Sequence, residues 1–165
     1  MRLKLKNEQY IWGLLRISLG LIFLWAFLDK LFGLGLSTMP ANSWINGGSP
    51  TSGFLLNSTK GPAAGLFQVL AHYPLVDWLF MLGVLFIGMA LILGIGVQIA
   101  GYSGAGMVFL MWLAVLPPEN NPFLDQHIIY AIVLIGLTQV KSGHWLGLGS
   151  WWSKTRLVKE NKFLR

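Results

Sequence analysis

Asp29, Lys30, His72, Asp77, Glu119, Asp125 and His127 all fall at or beside the ends of long apolar runs. If successive runs fold as antiparallel helices, these groups converge at one end of the molecule. A set of carboxylates with two histidines could relay protons, hold a metal ion or hydrogen-bond the carbonyl of a quinone headgroup. Metal is the weakest of the three, because His127 and Tyr130 share a helix face but no HxxxH or ExxH pair accompanies them. For any single member, the plainer role is a solvated rim that caps helices and pairs charges.

Arg16 lies about two turns inside the first apolar run, where a charge is costly unless it faces protein and finds a partner. At about 100° per residue it shares a face with Gly13, Gly20 and, further along, Lys30, so small residues and cations point toward the same neighbours. Gln98, Ser103 and Gln139 are the polar side chains expected to meet it. The alternative is that Arg16 snorkels to the nearer interface. Trp25 and Trp112 fall in the far halves of their runs, where they could flank a flat ligand ring, although core packing is the favoured reading.

These residues are set in a very apolar chain. Of 165 residues, 55% are hydrophobic and 11% charged, with a mean hydropathy of +0.62, a balance that fits a bilayer rather than water as solvent. A chain this short has little room for a soluble catalytic domain beside several spans, so a single membrane domain over 1–165 is expected. The absence of cysteine excludes thiol, disulfide and thiolate–metal chemistry, and iron–sulfur ligation, by this chain. Its net charge of +6 sits mainly in the tails beside apolar runs, so it reads as a topology signal and not as a nucleic-acid surface.

Hydropathy places spans over 10–34, 75–94, 97–116 and 122–140. The basic stretch Met1–Asn7 resembles the start of a signal peptide, but the run that follows is too long and lacks a convincing cleavage site, so it reads as an uncleaved first span. Gly94, Ile95 and Gly96 allow only a tight turn, which makes the second and third spans antiparallel neighbours. For the fourth span, Asn121 can cap, Pro122 fits the first helical position and Asp125 lies near the positive dipole end. Beyond it, Gly143–Gly149 breaks the helix. Trp145, Trp151 and Trp152, with the basic residues after them, then read as an interfacial segment within a tail over 141–165.

The segment 37–73 is long for a connection in so small a chain. It carries Trp44, Ile45, Phe54 and Leu55, and Gly61-Pro62 opens an apolar stretch from Ala63 to Tyr73 that predicts a short surface helix. It reads as a lid over the outer mouth of the bundle, the alternative being a connector that rests on lipid headgroups. Arg2, Lys4 and Lys6 precede the first span, and Lys141, Lys154, Arg156, Lys159, Lys162 and Arg165 follow the fourth. Against Lys30 and Lys60 on the other side, this excess predicts that both termini are cytoplasmic.

Three sets of residues also carry a resemblance. They are Arg16 with Asp29-Lys30-Leu31-Phe32-Gly33 in the first span, the loop strings 44–50 (WINGGSP) and 60–62 (KGP), and 117–123 (PPENNPF) running into Asp125, His127 and Tyr130. In these, over nearly its full length, the chain resembles the DoxX family of small four-helix bacterial membrane proteins, which includes the DoxD-like subunit of thiosulfate:quinone oxidoreductase. The resemblance implies a membrane subunit linked to quinone-dependent oxidation or redox homeostasis, placed in the bacterial cytoplasmic membrane and working with other subunits. Quinone is the implied ligand, with no covalently bound cofactor.

The resulting expectation is an all-α membrane protein: an antiparallel bundle of four transmembrane helices with an outer lid and a C-terminal interfacial segment. Its quinone- or partner-binding residues are expected among Arg16, Trp25, Asp29, Lys30, Trp44, Asn46, His72, Asp77, Trp112, Glu119, Asp125, His127 and Tyr130, with no metal and no nucleic-acid partner. No residue is assigned a catalytic role. The alternative is a non-catalytic accessory or scaffold subunit that stabilises a larger respiratory or photosynthetic complex. A small-solute carrier is disfavoured, since no inverted repeat or paired broken helices are evident.

Overall fold

Gly33 adopts a left-handed conformation (φ 67°) and stops the first helix, α1 (Asn7–Phe32), two residues short of the expected span end. The computed structural model describes residues 6–119 and 121–164. Arg2, Lys4 and Arg165 of the charge count and Asn120 of the loop string lie outside the described residues, as does the side chain of Lys162. After α1 come two short helices, α2 (Ser52–Asn57) and α3 (Ala64–Leu70), then the long α4 (Pro74–Leu93) and α5 (Val97–Ala114). The chain ends with α6 (Gln126–Gln139) and two further short helices, α7 (Gly149–Trp152) and α8 (Arg156–Glu160). Among the described residues three 3₁₀ turns, including Trp44–Asn46 and Ser142–His144, lie between these elements, a fourth (Lys162–Leu164) follows α8, and no strand occurs.

Hydropathy located α4 and α5 to within two residues at each end, because Pro74 opens one and left-handed Gly94 and Gly96 make the turn between them. α1, α4 and α5 are each long and apolar enough to cross a membrane. α6 is shorter and begins later than expected. Asp125, not Asn121, caps it, its Oδ1 accepting from the amides of His127 (2.9 Å) and Ile128 (3.4 Å). Asn121 instead accepts from the amides of Phe123 and Leu124, closing a separate turn that takes Pro122 out of the helix. The 14 residues of α6 rise only about 21 Å.

α1 packs along α4, α4 beside α5 and α5 along α6, and α1 also touches α6. Leu19, Phe23, Val84, Ile87, Leu91, Val108, Leu134 and Leu137 form the buried centre. α1 and α4 approach closely at two glycines: a Cβ on Gly20 would stand 2.9 Å from the Ile92 amide nitrogen, and one on Gly88 would stand 2.8 Å from the Leu24 amide nitrogen. Backbone thus meets backbone between α1 and α4, the packing that helices use where apolar surroundings remove the hydrophobic drive. The outward faces are apolar too: Leu21, Ile22, Leu79, Phe86, Ile129 and Ile132 are all exposed. That exterior is compatible with lipid contact.

Candidate functional site

Two aspartates staple the segment between α1 and α4. Asp29 is fully buried at the end of α1. Its carboxylate accepts from Ser37 Oγ (2.5 Å) and from the Ser37 and Leu36 amides (3.2 and 3.4 Å). Asp77, in the first turn of α4, accepts at one oxygen from Ser49 Oγ (2.8 Å), Thr51 Oγ1 (2.6 Å) and the Thr51 amide (3.1 Å). A buried carboxylate is tolerable when donors converge on it in this way. The segment is further held by an edge-to-face contact between Trp44 and Trp78, with centroids 4.6 Å apart, and by Asn46 Nδ2, which donates to the Pro40 carbonyl (2.8 Å). Asn46 is therefore part of a turn.

The other acidic groups take different partners from Asp29 and Asp77, although Glu119 and Asp125 line one cleft of about 430 Å³ together with Lys60. Glu119 pairs with Lys60 at 2.7 Å on the exposed surface, and the Lys60 hydrogen bond and charge hold its carboxyl below the usual range. Asp125 Oδ2 lies 2.6 Å from His127 Nδ1; a carboxylate only accepts, so Nδ1 carries the proton. Burial alone would raise the Asp125 pKa, but hydrogen bonds from His127 and the helix amides outweigh it and hold the pKa below the usual range. Among the described residues, no hydrogen bond or ion pair joins Asp29 or Asp77 to this region. Tyr130 packs against the core, and His72 is exposed after α3. No three His, Asp or Glu side chains among the described residues converge as a metal ligand set.

Beside Lys30, under α2 and α3, lies a groove of about 680 Å³. Phe54, Leu55, Phe67, Phe80, Met107 and Met111 line it, and its polar lining residues are Lys30, Thr51 and Ser103. Lys30 Nζ sits 5.8 Å from the centre of the Phe80 ring, a position in which the ring face offsets part of the cost of a cation in apolar surroundings. Gly106 forms part of the wall, and a Cβ there would meet nothing within 4 Å. The groove has the size and mixed lining of a small-molecule site: mostly apolar, with a few polar groups to fix orientation. Trp25 and Trp112 do not line it. Trp25 is half-exposed on the outside of α1. Trp112 stacks on Phe109 and donates from Nε1 to the Phe123 carbonyl (3.1 Å), so the two do not flank a common ring.

Arg16 is fully buried, as its shared face with Gly13 and Gly20 implies, but its partners are not Gln98, Ser103 or Gln139. Ser103 donates to the Ile99 carbonyl of its own helix, and Gln139 donates to Tyr102. Instead, Nη1 of Arg16 donates to the carbonyls of Leu91 and Ile92 (3.1 Å to Ile92) at the end of α4. Nη2 donates to those of Trp145 and Leu146, both at 3.0 Å. One guanidinium thus satisfies orphan carbonyls of a helix C-terminus and of the irregular chain after α6. Gly147 makes this possible, since a Cβ there would stand 2.8 Å from Nη2. Leu148 completes the junction by donating its amide to the Leu93 carbonyl (2.8 Å).

No family model, characterised protein or solved structure matches the chain. The site residues that sequence reasoning missed are the donors Ser37, Ser49 and Thr51 and the groove wall of Phe54, Phe67, Met107 and Gly106. The hydroxyl residues carried a usable signal, because they cluster in a loop that must return to two helix-end aspartates.

Proposed function

We propose that the chain is a membrane subunit of a quinone-linked oxidoreductase or redox-homeostasis system, and that the groove beside Lys30 holds the quinone ring. The observation that carries this reading is the composition of the groove: aromatic and methionine side chains around a single ammonium group. A quinone is a flat, apolar ring with carbonyl acceptors, and Lys30 Nζ supplies a donor at the polar end of such a site. The resemblance of the loop strings to DoxX proteins supports the same reading. In this arrangement α6 is the fourth span of an antiparallel bundle. The re-entrant chain held by Arg16 completes its short crossing, since irregular backbone at membrane depth needs protein partners. The basic residues around both tails favour cytoplasmic termini.

Full-length protein extracted from its native membranes in mild detergent should carry close to one quinone per chain by mass spectrometry. Lys30→Ala should lower that retention severalfold, whereas His127→Ala, outside the groove, should leave it unchanged. Preparations free of quinone, with or without copurifying partners, would overturn the proposal. A second reading, an accessory subunit without a ligand, is favoured by the engagement of Asp29, Asp77 and Asp125 in the chain's own fold. It requires recovery within a large assembly with no quinone attached to this chain.

A further inference from the structure

A second cleft, of about 180 Å³, opens at the opposite end of the molecule, between the start of α5, the end of α6 and the chain that follows. Gln98, Tyr102, Gln139, Lys141, His144 and Ser153 contribute to its lining, and no acidic residue does. Its volume is several times the ~30 Å³ that one water takes up in the liquid. The hydrogen-bonding chemistry is that of an anion site. Gln139 Nε2 donates to the Tyr102 hydroxyl (3.0 Å), which leaves the tyrosine proton free to donate elsewhere. α5 is 18 residues long, and its first turn lines the cleft at Val97 and Gln98 with no capping side chain and no acidic residue of its own. Lys141, whose backbone is left-handed (φ 55°), comes one residue after the Val140 cap of α6 and brings a full positive charge to the cleft lining.

The surroundings decide the source of the anion. Lys154 and Lys159, with Arg156 paired to Glu160 at 2.8 Å, follow closely in the chain, and Leu146, Leu148, Trp151, Leu157 and Phe163 are exposed among them. Basic side chains mixed with exposed Trp and Leu characterise a surface resting on anionic lipid, whereas a free ion would need no apolar surround. We propose that this cleft binds the phosphate of an anionic phospholipid headgroup. The proposal rests on the membrane reading of the chain and is independent of the quinone.

The test uses the full chain, stripped of lipid in mild detergent and titrated separately with phosphatidylglycerol, phosphatidylcholine and inorganic phosphate. Binding is followed by native mass spectrometry and by the unfolding midpoint. Phosphatidylglycerol should be retained and should raise the midpoint, and phosphatidylcholine should do neither. Lys141→Asn, which tolerates left-handed backbone, should weaken phosphatidylglycerol binding about fivefold. Tyr102→Phe, which removes one exposed hydroxyl without burdening the fold, should weaken it about threefold. Lys60→Gln, at the far end, should not change it. Equal retention of the two lipids, or wild-type binding by both Lys141→Asn and Tyr102→Phe, would overturn the site. A midpoint shift from millimolar inorganic phosphate as large as that from lipid would overturn the lipid assignment in favour of a free anion.

Discussion

The two ends of the molecule meet the same difficulty with opposite charges. At each end, irregular backbone must lie against apolar helices, where unpaired polar groups are expensive. At the loop end the exposed need is for acceptors, because the chain returns with hydroxyls and amides from Ser37, Ser49 and Thr51, and Asp29 and Asp77 accept from them. At the tail end the need is for donors. The carbonyls of Leu91, Ile92, Trp145 and Leu146 converge, and Arg16 donates to all four. A buried charge in this chain is thus explained first by what it holds together. Lys30 differs from these: it borders the groove with a ring contact and no hydrogen bond or ion pair among the described residues.

Breaking the tail end should have the largest effect. Arg16→Ala leaves four carbonyls without their donor, and at about 1–3 kcal/mol for each buried unsatisfied group partial relaxation still leaves a loss of roughly 3–5 kcal/mol. Unfolding in detergent should show it, with proteolysis within 142–149 rising while the segment between α1 and α4 stays protected. Asp29→Asn should reverse that pattern, loosening residues 36–38 in hydrogen exchange and costing about 1–2 kcal/mol, the difference between charged and neutral acceptors. Asp77→Asn should cost less, because Asp77 is only partly buried.

The start of α6 offers a smaller, pH-dependent effect. The Asp125 carboxyl is held below its unfolded value by His127 and the helix amides. Its stabilising contribution is therefore present above about pH 4 and is lost as the pH falls through the depressed folded pKa. Acid should release amide protection at 127 and 128 in the wild type, and Asp125→Ala should abolish that pH dependence. The smallest effect belongs to Glu119→Gln. The ion pair with Lys60 is exposed, and the unfolding midpoint should not move measurably.

The long helices were legible because hydropathy and glycine placement act locally, and Arg16 was legible as a buried group because its helix face carries Gly13 and Gly20. Its partners were not, since they are carbonyls 75 to 130 positions away, and every residue has a carbonyl. The start of α6 was misread because Asn121-Pro122 is a strong local signal, whereas the competing cap at Asp125 is decided by the turn that Asn121 itself closes. The acidic groups were correctly placed at helix ends, but charge alone suggested one cluster. Serine and threonine donors take up Asp29 and Asp77, while Glu119 and Asp125 share a cleft with Lys60, and the donors' position depends on a loop path that composition does not encode. The groove was invisible for a related reason: its walls come from α1, the loop at Pro50 and Thr51, α2, α3, α4 and α5, and no one segment marks it.

The most direct test fills the groove without touching any staple. Gly106→Phe introduces a ring where a Cβ meets no neighbour, so the helices should keep their packing and unfolding midpoint. Quinone content measured side by side in purified wild-type and variant protein should then fall from near one per chain to near none. Equal quinone in both, with the fold intact, would contradict the groove as the ligand site.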